Sequence, residues 1–404
     1  MSIRLRATRP DPALIRLPWN VPLADWDPAL DVPLARGISR HVVRFVRAGD
    51  TVVAVKETRE SFANREYGLL RNLDRIGVPA VKAVAVVTGR ETPVGEPIEP
   101  ALVTRVLPQS LPYRSLFSHK LREDTLERVI DALVLLLVRL HLEGFYWGDC
   151  SLSNVLFRRN TDELEAYLVD AETGELHENL SDGQRAYDID LLRTNAFGEL
   201  LDLQAGGMLG DEDDAVEIVD QIVQRYEGLW EEITGIEEFG LDEMWRIQQR
   251  IERLNERGFD VEEIDIVTDL GGDYVRIQPK VLDAGHHCRR LRGLTGLDVP
   301  DSQARRLLND LDAYTASHEL GDEDSMTVAH QWLTQVYQPL EEMIPTEYTD
   351  VVETPQVFHD VLVHRWALSE AAGHEVDFFE TARSYIENEL PATVETLRTA
   401  AAAT

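Results

Sequence analysis

The segment that most constrains this chain begins in an apolar stretch, Val129 to Leu142, interrupted only by charged residues such as Asp131 and Arg139. Its longest unbroken run, ALVLLLV, is far short of the ~20 residues a membrane crossing needs, so it reads as a helix buried inside a protein. Glu143-Gly144 ends it. The residues from His141 to Phe157 read HLEGFYWGDCSLSNVLF, a short loop presenting Asp149 and then Asn154, followed at once by the apolar strand start Val155-Leu156-Phe157. Further on, AYLVDAETGE is a second apolar run that ends in Asp170. Such a chain must bury a helix and two strands while leaving two carboxylates and an amide at their ends.

Those groups suit transfer of a nucleotide's terminal phosphoryl group. One carboxylate, Asp149, can accept the proton of an attacking hydroxyl. The Asn154 amide oxygen and the Asp170 carboxylate can hold magnesium, a hard ion that takes oxygen ligands. A cation for the phosphates lies upstream. HVVRFVR and TVVAVKE are β-branched runs joined by Ala48-Gly49-Asp50, so residues 41–57 read as a hairpin. Lys56 shares a strand face with Val52 and Ala54, and a lysine there wants a partner. Residues 60–76 read as a helix stopped by Gly77-Val78-Pro79, with Phe62, Glu66, Leu69, Leu70 and Leu73 on one stripe. Glu66 is thus a carboxylate on an inward face, where Lys56 can meet it.

Composition limits the partners. The 404 residues carry 73 Asp+Glu against 40 Lys+Arg, a formal charge of −33, which repels nucleic acid and acidic membrane surfaces alike. The charge is uneven. Residues 1–80 hold 13 Lys/Arg against 9 Asp/Glu, whereas residues 199–243 hold 15 Asp/Glu and only Arg225. A locally basic start on an acidic protein suits a small anionic ligand. Two cysteines, Cys150 and Cys288, make neither a disulfide framework nor a four-ligand zinc site, and the simplest compartment is the cytoplasm. The N-terminal residues lack the apolar core of a signal peptide.

Strands are expected at 81–88 and 101–106, then helices at 122–143, 184–204 and 213–233. The expected division is a β-rich nucleotide lobe over 1–106, a helical lobe over 107–238, and a mainly helical C-terminal domain over 239–404. That last region should hold a helix at 241–257 and a strand pair around FDVEEIDIV and DYVRIQPKV.

The order V-A-V-K, helical Glu, G-D-x-S-x-x-N-x-L-F and V-D-A-E resembles the protein-kinase-like fold, an α+β architecture of two lobes. Within that fold it looks most like the lipopolysaccharide-kinase, aminoglycoside-phosphotransferase and Rio-like branch, and the whole chain resembles an uncharacterised actinobacterial kinase-like family. The resemblance implies ATP and Mg2+ as cofactors and a small-molecule, sugar or glycolipid hydroxyl as acceptor. It further implies that Lys56 contacts the α/β-phosphates, that Glu66 orients it, that Asp149 is the catalytic base, and that Asn154 and Asp170 hold magnesium. Residues 102–108, Val103 and Arg105 among them, would be the hinge beside adenine, offering backbone groups. Asp188 or Asp190 would brace the catalytic loop. Gly37 alone represents the phosphate-covering glycines in LARGISRHVV.

The sequence departs from the pattern in places. Trp147-Gly148-Asp149 replaces His-x-Asp, and Asp170-Ala171-Glu172 replaces Asp-Phe-Gly. Glu172 is a further metal ligand or, more simply, a solvated residue. No Ala-Pro-Glu motif follows, which disfavours a serine/threonine protein kinase. The thinned glycines admit a nucleotide-binding pseudokinase acting on a protein partner through the C-terminal domain, but all five chemical residues are present. In the third region, residues 285–297 form a basic island that would meet an anion or pair with the acidic 210–243 segment. His286, His287 and Cys288 are a poor chelate. Cys150 reads as a small residue filling the loop rather than a nucleophile.

Overall fold

The β-branched runs around Gly49 pair as expected. In the computed structural model, Val43–Ala48 (β2) and Thr51–Glu57 (β3) form an antiparallel hairpin in which Val43 faces Lys56 and Ala48 faces Thr51. The structure describes residues 3–9, 11–34, 41–49, 51–117, 125–160, 163–209, 214–235, 237–240, 246, 249–250, 253–254, 259, 261–268, 274–281, 286–318, 320–321, 323–349, 351–372 and 376–402. Gly37 and most of the expected helix at 241–257 lie outside these residues.

Two compact units divide the chain: Met1–Arg158 with Glu165–Glu231, and Arg159–Leu164 with Glu232–Thr404. In the first, Arg4–Ala7 (β1), Ala83–Thr88 (β4) and Ala101–Arg105 (β5) join the hairpin in one five-stranded antiparallel sheet, ordered β1-β4-β5-β3-β2. Helix α2, Glu60–Ile76, packs on β4 and β5 and stops where Gly77 takes φ 80°. The short helix α1, Pro12–Ile15, opens a segment that covers the sheet with Leu14, Trp19, Leu23 and Trp26. No sequence pattern signals this use of the N-terminal residues. Buried arginines pin it: Arg44 binds Asp31 at 2.6 Å and the Leu23 carbonyl at 3.0 Å, while Arg90 binds Glu57 at 2.7 Å and the Trp19 carbonyl at 3.0 Å. A buried guanidinium is tolerable only when its donors are matched in this way.

The rest of the unit is mainly helical. Ser110–Pro112 (β6) pairs with Val155–Asn160 (β8), and Glu163–Leu168 (β9) completes that sheet. Tyr113–Phe117 (α3) is short. Thr125–Leu142 (α4) is the buried helix expected from the apolar run, with Leu133, Leu137, Val138 and Leu140 inaccessible. Phe145–Tyr146 (β7) pairs with Glu175–Leu176 (β10). Gly144 turns at φ 73°, and a Cβ there would meet the His177 carbonyl oxygen at 2.2 Å. Asp182–Ala205 (α5), with a capping box at Ser181 and Gln184, and Ala215–Thr234 (α6) follow.

In the second unit, Glu237–Gly240 (β11), Val261–Thr268 (β12) and Tyr274–Val281 (β13) form an antiparallel sheet ordered β11-β13-β12. Helices at His286–Thr295, Asp301–Ser317, Ser325–Trp332, Thr354–Ala372, Phe378–Asn388 and Leu390–Ala402 surround a core that includes Trp332, Leu340, Phe358 and Val361. Trp332 donates its indole N–H to Asp310 at 2.8 Å. In the basic island, Arg290 pairs with Asp312 at 3.5 Å, a partner outside the acidic 210–243 segment. The architecture is α+β: a bilobal kinase-like unit and a mainly helical C-terminal region.

Candidate active site

Period-2 alternation points Lys56 from β3 toward α2, and the helical stripe turns Glu66 to meet it. Lys56 Nζ lies 2.8 Å from Glu66 Oε2, 3.0 Å from Asp170 Oδ2 and 3.2 Å from Glu172 Oε2. Glu66 is 2% exposed. Three carboxylates therefore crowd one ammonium. Burial works against the Lys56 charge, but Glu66 and then Asp170 outweigh it and hold the amine well above its ordinary range. For Glu66, burial first and Asp170 second push the carboxyl up to about 7, against the pull of Lys56. Burial is the larger cause for Glu66, and the second carboxylate beside it adds to the shift: the site has more anion than one lysine neutralises.

Glu172 is not the solvated residue expected from the sequence. Its side chain is 19% exposed, and besides Lys56 it meets His41 Nε2 at 3.3 Å. The turn that brings it there is local. Asp170 Oδ1 accepts the Glu172 N–H at 2.9 Å, and the fully buried Ala171 anchors the bend between them. Glu66, Asp170 and Glu172 offer oxygens within 4.8 Å of one another, a spacing a cation could bridge.

The loop after α4 presents Asp149 and Asn154. The Asn154 side-chain amide donates to the Asp149 backbone carbonyl at 3.0 Å and to its carboxylate at 3.2 Å, so its own oxygen is the end left for a ligand. The Val169 N–H donates to the Asn154 carbonyl at 3.0 Å, which ties this loop to the approach of Asp170.

Helix α5 braces the loop. Asp188, wholly buried, accepts the Trp147 N–H at 2.7 Å and the Gly148 N–H at 2.8 Å, with His141 Nε2 at 3.3 Å. Asp190 is exposed, so of the two candidates Asp188 is the brace. Burial lowers the His141 pKa despite Asp188, so the imidazole is neutral. Its Nε2–H then donates to the carboxylate, and Nδ1 accepts from the Tyr226 hydroxyl at 2.6 Å.

Two residues on the same face of α5 were not among those singled out from the sequence. Asn195 donates to the Cys150 carbonyl at 2.9 Å. Glu199 accepts from the N–H groups of Leu152 at 2.7 Å and Ser153 at 2.9 Å. Spacings of seven and eleven residues from Asp188 are the cue, since both return to one helical face. Cys150 itself is buried, and burial, then Asp188, pushes its thiol well up, which makes it inert filling.

The segment expected to serve as a hinge is partly committed. Val103 is fully buried in β5 between β3 and β4, and the Arg105 N–H donates to the Lys82 carbonyl at 2.8 Å. The Val103 backbone, held in ladders with both neighbours, is spent on the sheet rather than on a ligand. The Arg105 side chain is exposed.

Residues 52–200, which contain Lys56, Glu66, Asp149, Asn154, Asp170, Glu172, Asp188 and Glu199, match the lipopolysaccharide kinase (Kdo/WaaP) family. Residues 228–390 match a domain of unknown function, DUF4032. Among solved structures, WaaP in complex with acyl carrier protein is similar at 20% identity, over 56% of this chain and 99% of that one, with a TM-score of 0.34. No curated protein matches the sequence. The matched segment is a kinase-type phosphotransferase domain. No helix among the described residues is long and apolar enough to cross a membrane.

Proposed function

We propose that this chain transfers the terminal phosphoryl group of ATP to a hydroxyl of a small molecule, sugar or glycolipid precursor, with magnesium as the accompanying ion. The observation that carries the proposal is the ring of Glu66, Asp170 and Glu172 around Lys56, at 2.8, 3.0 and 3.2 Å. An all-oxygen donor set with surplus negative charge fits a hard divalent cation. Asp170 and the free oxygen of Asn154 are the residues to hold it. When bound, magnesium neutralises charge on the phosphate oxygens.

The chain's own residues do the rest. Glu66 fixes the direction of the Lys56 ammonium, which meets the phosphates as a fixed positive charge. Asp149, oriented by the Asn154 amide, accepts the proton of the acceptor hydroxyl as its oxygen bonds to phosphorus and the bond to the ADP oxygen breaks. The catalysis is positioning and electrostatic preorganisation. The family match over 52–200 favours a sugar hydroxyl as acceptor.

Asp149→Asn tests the assignment. The side chain keeps its size and loses its basicity. ADP release with a sugar acceptor should fall by about 10²–10⁴, the usual worth of a general base, while ATP binding persists. Unchanged turnover would refute it.

A further inference from the structure

On the far side of α2 from Glu66, the sequence places Asn64, Gly68, Arg71, Asn72 and Arg75 on one face, at spacings of three and four residues. Strand β1 adds Arg6 to that face. Together with Tyr67 they line a cavity of about 260 Å³. Gly68 leaves it open: a Cβ there would meet nothing within 4 Å.

The three arginines are held without being neutralised. Arg6 donates to the Asn64 side-chain oxygen at 2.7 Å, and Arg75 to the Asn72 side-chain oxygen at 3.1 Å. The Arg6 guanidinium stands 4.9 Å from the Tyr67 ring centre, and that of Arg71 5.7 Å from it. Among the described residues, none of the three pairs with a carboxylate. The nearby Asp74 meets Lys82 instead, at 3.8 Å. Three arginines thus share one face of a protein whose formal charge is −33. Neutral amide oxygens and an aromatic face orient guanidiniums without consuming their charge, and their remaining N–H groups suit the oxygens of a phosphate.

We propose that this pocket between β1 and α2 is a second anion site, which takes a phosphoryl-bearing ligand, as the free ion or as a lipid headgroup. It is separate from the Lys56 site, on the opposite face of α2. It also explains the basic charge of residues 1–80 without invoking the nucleotide.

The test is a calorimetric titration of the full chain with inorganic pyrophosphate, in EDTA, where the acidic catalytic ring holds no metal and repels polyanions. A second arm measures sedimentation with phosphatidylcholine vesicles containing or lacking phosphatidic acid. The double variant Arg71→Glu/Arg75→Glu should weaken binding at least tenfold. Gly68→Glu, which retains every arginine and projects a carboxylate into the cavity, should do likewise. Lys56→Ala should leave it unchanged. Binding to pyrophosphate marks a soluble ligand, and binding only to the anionic vesicles a lipid headgroup; either supports the site. Absence of binding in both arms overturns it, as does binding that survives both pocket variants or is lost in Lys56→Ala. Unaltered thermal unfolding in anion-free buffer verifies that the variants are folded.

Discussion

Replacing Asp188 with alanine gives the sharpest test of how the catalytic loop is held. The carboxylate is wholly buried and accepts two backbone N–H groups, at 2.7 and 2.8 Å, as well as His141 at 3.3 Å. Alanine leaves the buried Trp147 amide and the half-buried Gly148 amide without their acceptor. Each such orphaned donor costs about 1–3 kcal/mol, so the two amides together account for roughly 2–6 kcal/mol. A domain is stable by only about 5–15 kcal/mol, so the loss takes a large fraction of the total. The milder variant Asp188→Asn retains one acceptor oxygen but turns an NH2 toward a donor, and should recover about half of that loss. Urea unfolding of the full chain, followed by tryptophan fluorescence, reads the difference as a shift in midpoint at constant slope. The same alanine should lower turnover, because Asp149 follows directly after Gly148. A loss below about 1 kcal/mol for Asp188→Ala, with the slope unchanged, would refute the claim that this carboxylate carries the loop.

Further outcomes follow from the same geometry. Glu199→Ala should lower kcat more than it raises the KM for ATP, because it frees the Leu152 and Ser153 amides that set the Asp149–Asn154 spacing; Glu199→Gln, with one acceptor retained, should lie between. Glu66 is raised in the fold from 4.5 to about 7, so the native state binds more protons than the unfolded one between these values. Stability should therefore fall as pH rises through that window, and Glu66→Gln should remove this slope in denaturant titrations across pH. His141 works in the opposite sense. Its lowered pKa means the unfolded chain takes up a proton that the buried imidazole refuses, so its contribution is lost as pH falls below its ordinary value of 6.5. Asp170→Ala removes one of the three carboxylates crowding Lys56 and should abolish a magnesium-dependent rise in Tm.

Much of the kinase-like unit was legible because its signals are local. The hairpin at 43–57, the α2 helix ending at Gly77 and the buried α4 each follow from patterns a few residues long: β-branching around a turn, a 3.6-residue stripe, an apolar run closed by glycine. The same patterns placed Lys56 and Glu66 on facing surfaces. The sequence alone also determined that Asp149 and Asn154 share one loop, because five residues of backbone leave little freedom. Tertiary structure decided what depends on distant segments. It turned Glu172 from solvent to Lys56, chose Asp188 over Asp190, and recruited Glu199 from 46 residues beyond Ser153. It laid Trp19 and Trp26 over the sheet, and drew Arg6 to Arg71 and Arg75 across more than sixty residues of chain. A carboxylate or guanidinium has no period of its own. Its partner is fixed only when the apolar faces have packed and the desolvated charge must be matched from whatever lies within reach.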